Sequence, residues 1–128
     1  MGRINISVTI QNAAEPAKSI RCDALVATGA SHMVLPNAWR DRLEPLDRIR
    51  VVDVETATQE TLRADVCGPV KIQLEGFEPV YSELLFVDLK PQDGIYAPLV
   101  GYLVLEQSQA AIDMLGHRLV HVKYLDLK

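Results

Sequence analysis

Two side chains that could act as nucleophile and base, Ser31 and His32, are neighbours directly after an apolar run. In a serine hydrolase the histidine takes the hydroxyl proton of the nucleophile, so the two groups must meet. Neighbouring residues of an extended chain point to opposite faces. We therefore predict that Ser31 and His32 do not form a hydrolase site, and that His32 lies at the rim of a cleft.

The other histidines and the cysteines lack the spacing of metal ligands. His117 and His121 are expected to share one face of a strand, with no carboxylate at ligand spacing. Cys22 and Cys67 form neither a metal motif nor a disulfide framework, and we interpret them as buried free thiols. We expect no metal, no cofactor and a location in the cytoplasm.

An apolar segment must position any site near Ser31. Residues 20–26 predict a buried strand that runs into a Gly-containing turn at residues 27–29, and apolar residues 33–35 follow the turn. Residues 98–105 form a second mainly apolar stretch, which contains Gly101.

These segments resemble the retropepsin-like aspartic proteases, the single-domain relatives of pepsin. The family has the pattern apolar-apolar-Asp-Thr-Gly-Ala-Ser, which this chain matches at Leu25, Val26, Thr28, Gly29, Ala30 and Ser31. Where the family has its catalytic aspartate, this chain has Ala27. The family's second motif, an apolar-apolar-Gly strand followed by a helix with a Leu-Glu pair, is matched by Leu99, Val100, Gly101, Leu105 and Glu106. The resemblance implies that this strand passes beside the catalytic turn. Because glycine lets one backbone approach another closely, we expect Gly101 to lie beside the Thr28–Gly29 turn.

The resemblance implies an all-β, closed barrel-like fold with one or two short helices, in a single domain over residues 1–128. In the family, two carboxylates share one proton, one acting as base on a water and the other as acid toward the peptide carbonyl. The chain has one such turn, so the resemblance implies a homodimer that cleaves an extended peptide or protein substrate. The methyl group of Ala27 cannot transfer protons, and we expect the chain to be inactive as written.

The resemblance also assigns roles to individual positions. The catalytic turn is Ala27, Thr28 and Gly29, and the Thr28 hydroxyl is expected to bond across the two-fold axis to the partner's turn. The substrate-binding positions that the resemblance implies are Ala30, Ser31, His32, Thr56, Ala57, Thr58, Gln59, Leu99 and Val100.

A hairpin is predicted over residues 49–66, because apolar residues alternate at 52–54 and at 62–66 around a polar stretch. In the family this hairpin is the flap that closes over a bound peptide. Residues 56–61 contain neither the Gly nor the Asn of tight turns, so we expect a longer and mobile loop. A surface hairpin without function is the alternative.

The dimer contact is expected to differ from that of retroviral members. Those enzymes close the dimer with interleaved terminal strands, for which residues 4–10 and 119–127 could serve here. They also often have an Asp–Arg ion pair at the positions of Ser31 and Tyr102, which this chain cannot form. That difference favours a bacterial or archaeal relative.

Ala27 has two interpretations within this fold. The favoured one is an active protease silenced by an engineered substitution, because every other motif position is intact. The alternative is a natural pseudoprotease that acts as a peptide-binding or dimerisation module. A small β-barrel interaction module without protease ancestry is a third hypothesis, which the coupled motifs disfavour.

Composition excludes several classes of function. The chain has 128 residues, 48% of them apolar and 23% charged, which is typical of a globular protein with a core of its own. Its formal charge is −4 with Lys and Arg scattered, so we expect no nucleic-acid partner. No apolar run approaches the ~20 residues that span a bilayer, so we expect no membrane partner.

The remaining elements are mostly strands. Alternating patterns predict strands at residues 4–10 and 70–74, and an apolar run predicts a buried strand within 83–88. Residues 36–43 predict a short helix that Trp39 packs onto the sheet. The chain is expected to close with two strands around Gly116.

Overall fold

The all-β prediction is confirmed by a computed structural model, which describes residues 3–56 and 58–122. Six strands form a closed barrel in the order β1-β2-β7-β3-β6-β5, with β1 paired to β5, and β4 extends the sheet beyond β5. The strands are β1 (Asn5–Asn12), β2 (Ser19–Val26), β3 (Met33–Pro36), β4 (Asp47–Glu55), β5 (Thr61–Leu74), β6 (Val80–Val87), β7 (Leu99–Val100), β8 (Ala110–Asp113) and β9 (Arg118–His121). A 3₁₀ helix (Asn37–Arg42) follows β3, and α1 (Tyr102–Gln107) follows β7.

The core divides into two clusters because β3 is buried on both faces. By strand alternation, Met33 and Leu35 point into the main barrel core, whereas Val34 points into a smaller cluster with Val66 and Leu85. Val52, Val54 and Leu62 of the hairpin pack against that smaller cluster. The hairpin is therefore attached to the barrel beside β3, the strand that follows the Ala27 turn.

The predicted hairpin is present as β4 and β5, and its loop has five residues, 56–60. The amide of Thr56 donates to the Glu60 carbonyl at 2.8 Å, and the amide of Gln59 donates to the Thr56 carbonyl at 2.9 Å. Gln59 takes the left-handed conformation, with φ of 64°. The loop is thus longer than a two-residue turn, as expected.

Other local predictions need corrections. Residues 70–74 do not form a separate strand, because β5 continues through a register shift between Cys67 and Val70. His117 lies in the turn before β9, with φ of 51°, so it shares no strand face with His121, which stacks on Phe77. The predicted short helix is the 3₁₀ helix, and Trp39 packs it against the main core.

The N-terminal strand is part of the barrel. Strand β1 pairs with β2 over residues 5–11 and with β5 over residues 8–12, so both of its edges are paired within the chain over residues 8–11. The role of residues 4–10 in a dimer contact stays a prediction. Of residues 119–127, the first three lie in β9 and pair with β8, and residues 123–127 lie outside the described residues.

The Ala27 turn is held at both ends by the segment formed by β7 and α1. Strand β7 lies parallel to β2 with Val26 opposite Val100, and the Ala27 amide donates to the Val100 carbonyl at 2.9 Å. Beyond the turn, the Tyr102 amide donates to the Ala30 carbonyl at 2.9 Å and the Leu103 amide to the Ser31 carbonyl at 3.0 Å. The first amides of α1, which have no partner within the helix, are thereby satisfied.

Gly101 allows the two backbones to approach closely, but the residues that it approaches are not the predicted ones. A Cβ on Gly101 would lie 2.5 Å from the His32 carbonyl oxygen and 2.6 Å from the His32 nitrogen. The close approach is therefore to the backbone of Ser31 and His32 rather than to Thr28 and Gly29. The register explains the shift, since the chain leaving β7 passes the far end of the turn.

We expect Gly101→Ala to reduce the free energy of unfolding by roughly 1–3 kcal/mol or more, because backbone atoms must move to admit the methyl group. Urea denaturation measures the loss. Gly29→Ala is the matched control, since a Cβ there meets nothing within 4 Å. Equal unfolding midpoints for the two variants would contradict the proposed contact.

The thiols are expected to be unreactive in the folded protein. Burial, with a smaller contribution from Asp23, raises the pKa of Cys22 from 9.0 to about 11, and burial also raises the pKa of Cys67. Two pH units correspond to about 100-fold less thiolate, which is the reactive form. In a Cys67→Ala variant, maleimide labelling of Cys22 at pH 8 should be about 100-fold slower than in the same variant unfolded in urea. Equal rates would contradict the burial of Cys22.

Candidate functional site

The turn that follows β2 presents Thr28 and Gly29 to solvent. The Ala30 amide donates to the Ala27 carbonyl at 3.1 Å and closes the turn. Ala27 and Ala30 are half-buried, whereas Thr28 and Gly29 are exposed at the tip. Ala27 therefore lies at the half-buried start of the turn, beside its exposed tip.

Ser31 and His32 meet, contrary to the prediction from strand alternation. The Ser31 Oγ lies 2.7 Å from His32 Nδ1, because the two residues form a bend between the turn and β3 instead of an extended segment. On its other side, His32 Nε2 lies 3.0 Å from Glu83 Oε2, on β6. A carboxylate only accepts, so Nε2 carries a proton, and in the neutral ring Nδ1 accepts from the Ser31 hydroxyl.

Arg50 of β4 completes this network from the hairpin side. Its Nη2 donates to Glu83 Oε2 at 2.7 Å, and its Nη1 lies 3.4 Å from Oε1. Burial acts to raise the pKa of Glu83, but the hydrogen bonds from Arg50 and His32 and the positive charge of Arg50 outweigh it, and the pKa lies below its ordinary value. Glu83 is therefore a carboxylate whose charge is compensated by its neighbours.

The order Ser31–His32–Glu83 has the connectivity of a nucleophile, a base and an orienting carboxylate. Arg50 changes the chemistry that is open to these three residues. Its guanidinium compensates the negative charge of Glu83, which would otherwise stabilise a protonated His32. The contacts of this network fix four side chains from three separate parts of the chain. Its chemistry is that of positioning and polar recognition.

An open pocket lies against this network. It has a volume of about 400 Å³ and is lined by His32, Arg50, Ser82, Glu83, Leu103 and Gln107. We call it the Glu83 pocket. It combines a guanidinium, a carboxamide and a compensated carboxylate with the apolar wall of Leu103.

The other predicted site residues lie in three places. Thr58 and Gln59 are exposed in the hairpin loop, where the Thr56 Oγ1 lies 3.1 Å from the Thr58 Oγ1, and Ala57 lies outside the described residues. Leu99 is half-buried against the smaller core cluster. Val100 is fully buried in the main core, so its side chain does not line a cleft.

The sequence did not indicate four polar residues of the pocket, which are Arg50, Ser82, Glu83 and Gln107. His32 and Glu83 are separated by 51 positions, and Arg50 and Glu83 by 33. No motif joins them, because they meet only through the pairing of β3 with β6 and the course of the hairpin. The only signal for these contacts in the sequence was one charged residue, Arg50 or Glu83, on each of two predicted strands.

The described residues contain neither a candidate metal site nor a candidate membrane-spanning helix. Residues 3–56 and 58–122 contain no group of three or more His, Cys, Asp or Glu side chains placed to hold a metal ion. Within the same residues, no helix has the length and apolar character needed to cross a membrane.

Comparison with known proteins identifies the fold. Neither the protein-family models nor the curated proteins include a match to this sequence. Among solved structures, the chain is similar to the EIAV protease in its complex with the inhibitor HBY-793. The two share 19% identity over 82% of this chain and 86% of that one, with a TM-score of 0.58. The chain therefore has the retropepsin-like, all-β acid-protease fold.

Proposed function

We propose that this chain is the scaffold of an aspartic endopeptidase that binds extended peptides as a homodimer and that is inactive because Ala27 replaces the catalytic aspartate. The observation that carries the proposal is the Ala27 turn itself. It keeps the family's Thr-Gly-Ala-Ser residues and is held by β7 and α1 on a barrel that has the retropepsin-like fold.

The need for two carboxylates in the proposed hydrolysis supports a dimer of two copies of this chain. Peptide hydrolysis by this route uses two carboxylates that share one proton, and like charges that close titrate as a coupled pair. One chain supplies one such turn, so a complete site needs two copies. Thr28 and Gly29 at the tip of the turn are exposed, as is Tyr102 on α1, which leaves this surface open to a partner.

The hairpin supports a peptide as the ligand. Strands β4 and β5 extend beyond the barrel, and the loop residues Thr58, Gln59 and Glu60 are exposed. A hairpin of this kind, closing over a ligand, can exclude water and offer backbone hydrogen bonds to an extended chain. We propose that it acts as the flap.

The intact surroundings of Ala27 favour a silenced protease over a natural pseudoprotease. A cleft without selection for catalysis would be expected to lose more than one position of the motif, and only Ala27 departs from it. The natural pseudoprotease, acting as a peptide-binding or dimerisation module, is the second candidate. In either case we propose one domain over residues 1–128 and a location in the cytoplasm, where Cys22 and Cys67 would stay reduced.

Restoring the carboxylate tests the proposal. We expect Ala27→Asp to cleave a mixed peptide library between pH 4 and 7, with a transition-state-mimicking aspartic protease inhibitor blocking the cleavage. Each acid–base group contributes ~10²–10⁴ to the rate, so the difference from the Ala27 chain should be at least about 100-fold. Ala27→Asn is the matched control, since it has the same shape but cannot transfer the proton. If Ala27→Asp forms a folded dimer but cleaves no peptide, the result contradicts the silenced protease and favours the natural pseudoprotease.

Thr28→Ala tests the two-fold contact without any catalysis. Loss of one hydrogen bond from each protomer, at about 0.5–1.5 kcal/mol each, should weaken the dimer roughly 5- to 150-fold. Sedimentation equilibrium measures the dissociation constant. Thr9→Ala, in β1, is the control for loss of a threonine hydroxyl elsewhere. An unchanged dissociation constant for Thr28→Ala would refute the contact, and a chain that is monomeric throughout would refute the homodimer.

A further inference from the structure

We propose that the Glu83 pocket is a subsite for an acidic side chain of a bound peptide, with Arg50 as the residue that selects it. This inference rests on the proposed function, because a peptide must first lie between the Ala27 turn and the hairpin. It adds the chemical class of the ligand, which the motif and the fold leave open.

The position of the pocket follows from the elements that line it. His32 comes directly after the Ala27 turn, and Arg50 belongs to the β4 arm of the hairpin. Leu103 and Gln107 lie on α1, whose first turn is hydrogen-bonded to Ala30 and Ser31. The pocket is therefore continuous with both parts of the molecule that would contact a peptide, and a side chain of that peptide can enter it.

The free hydrogen-bonding groups of the pocket are mainly donors. The Glu83 carboxylate accepts from His32 and from both terminal nitrogens of Arg50, so its capacity to accept is largely used. A guanidinium has five N–H groups, and only two of them bond to Glu83 in the structure. The Arg50 side chain is 49% exposed, and the Gln107 carboxamide adds a further donor at the pocket wall.

Charge favours an anion over a cation. Arg50 and Glu83 cancel, and His32 contributes either no charge or a positive one, so the network is never net negative while Glu83 and Arg50 are paired. A lysine or arginine entering the pocket would meet the Arg50 charge and would have to displace it from Glu83. A Glu side chain can instead use the remaining N–H groups of Arg50, with its methylene groups against Leu103.

Binding to the inactive chain is the primary test, since it needs no catalysis. We would titrate the Ala27 chain with three capped pentapeptides that carry Glu, Gln or Lys at the centre of a Gly-Ala background, and follow the amide and Arg side-chain NMR signals. The Glu peptide should bind about tenfold more tightly than the Gln peptide and shift the signals of Arg50 and Gln107. Equal binding of the Glu and Gln peptides, or preference for Lys, would overturn the proposal.

Two arginines on the same strand provide the matched variants. Arg50→Gln should reduce the preference for Glu over Gln to within about twofold, whereas Arg48→Gln, exposed on β4 and outside the pocket lining, should leave it unchanged. Thermal unfolding of both variants controls for loss of the fold. A preference that survives Arg50→Gln assigns the selection to another residue and overturns the proposal.

The cleavage assay separates this inference from the proposed function. If Ala27→Asp cleaves peptides without a preference for Glu at any position, the endopeptidase stands and the acidic subsite fails. If the Ala27 chain binds the Glu peptide through Arg50 while Ala27→Asp cleaves nothing, the subsite stands and the endopeptidase fails.

Discussion

The geometry of the candidate site depends on the backbone contact between the Ala27 turn and the β7–α1 segment. Three amides of that pair of elements are used across the contact: Ala27 donates to Val100, and Tyr102 and Leu103 donate to Ala30 and Ser31. A six-residue helix such as α1 is too short to be stable alone. Its buried Val104 and Leu105 attach it to the barrel core, and the barrel thereby fixes the turn.

A second set of contacts holds the side chains beside the turn. Retroviral members often place an Asp–Arg ion pair at the positions of Ser31 and Tyr102, and this chain has neither charge there. Its polar contacts run instead from Ser31 through His32 to Glu83 and Arg50. The network joins the turn to β6 and, through the ion pair between Arg50 and Glu83, to the β4 strand of the hairpin.

The sequence predicted the secondary-structure elements well, but it predicted less well which residues are in contact in the fold. Alternation in residues 4–10 and the apolar run within residues 83–88 correctly indicated strands, because a side chain's face is set by local geometry. The same rule misled at Ser31 and His32, since it applies to extended chain and these residues form a bend. Gly101 was correctly predicted to allow a close approach, but the register of β2 and β7 decided that its neighbours are Ser31 and His32.

By itself, the sequence determined that the fold is all-β, that a Gly-containing turn follows the second strand, and that this turn has Ala27 where the retropepsin-like pattern has an aspartate. These properties depend on residue type and on neighbours in the chain. Only the tertiary structure decided that His32, Arg50 and Glu83 meet around one pocket and that Val100 is buried in the core. Such contacts depend on strand register and barrel closure, which bring together residues that have no fixed spacing in the sequence.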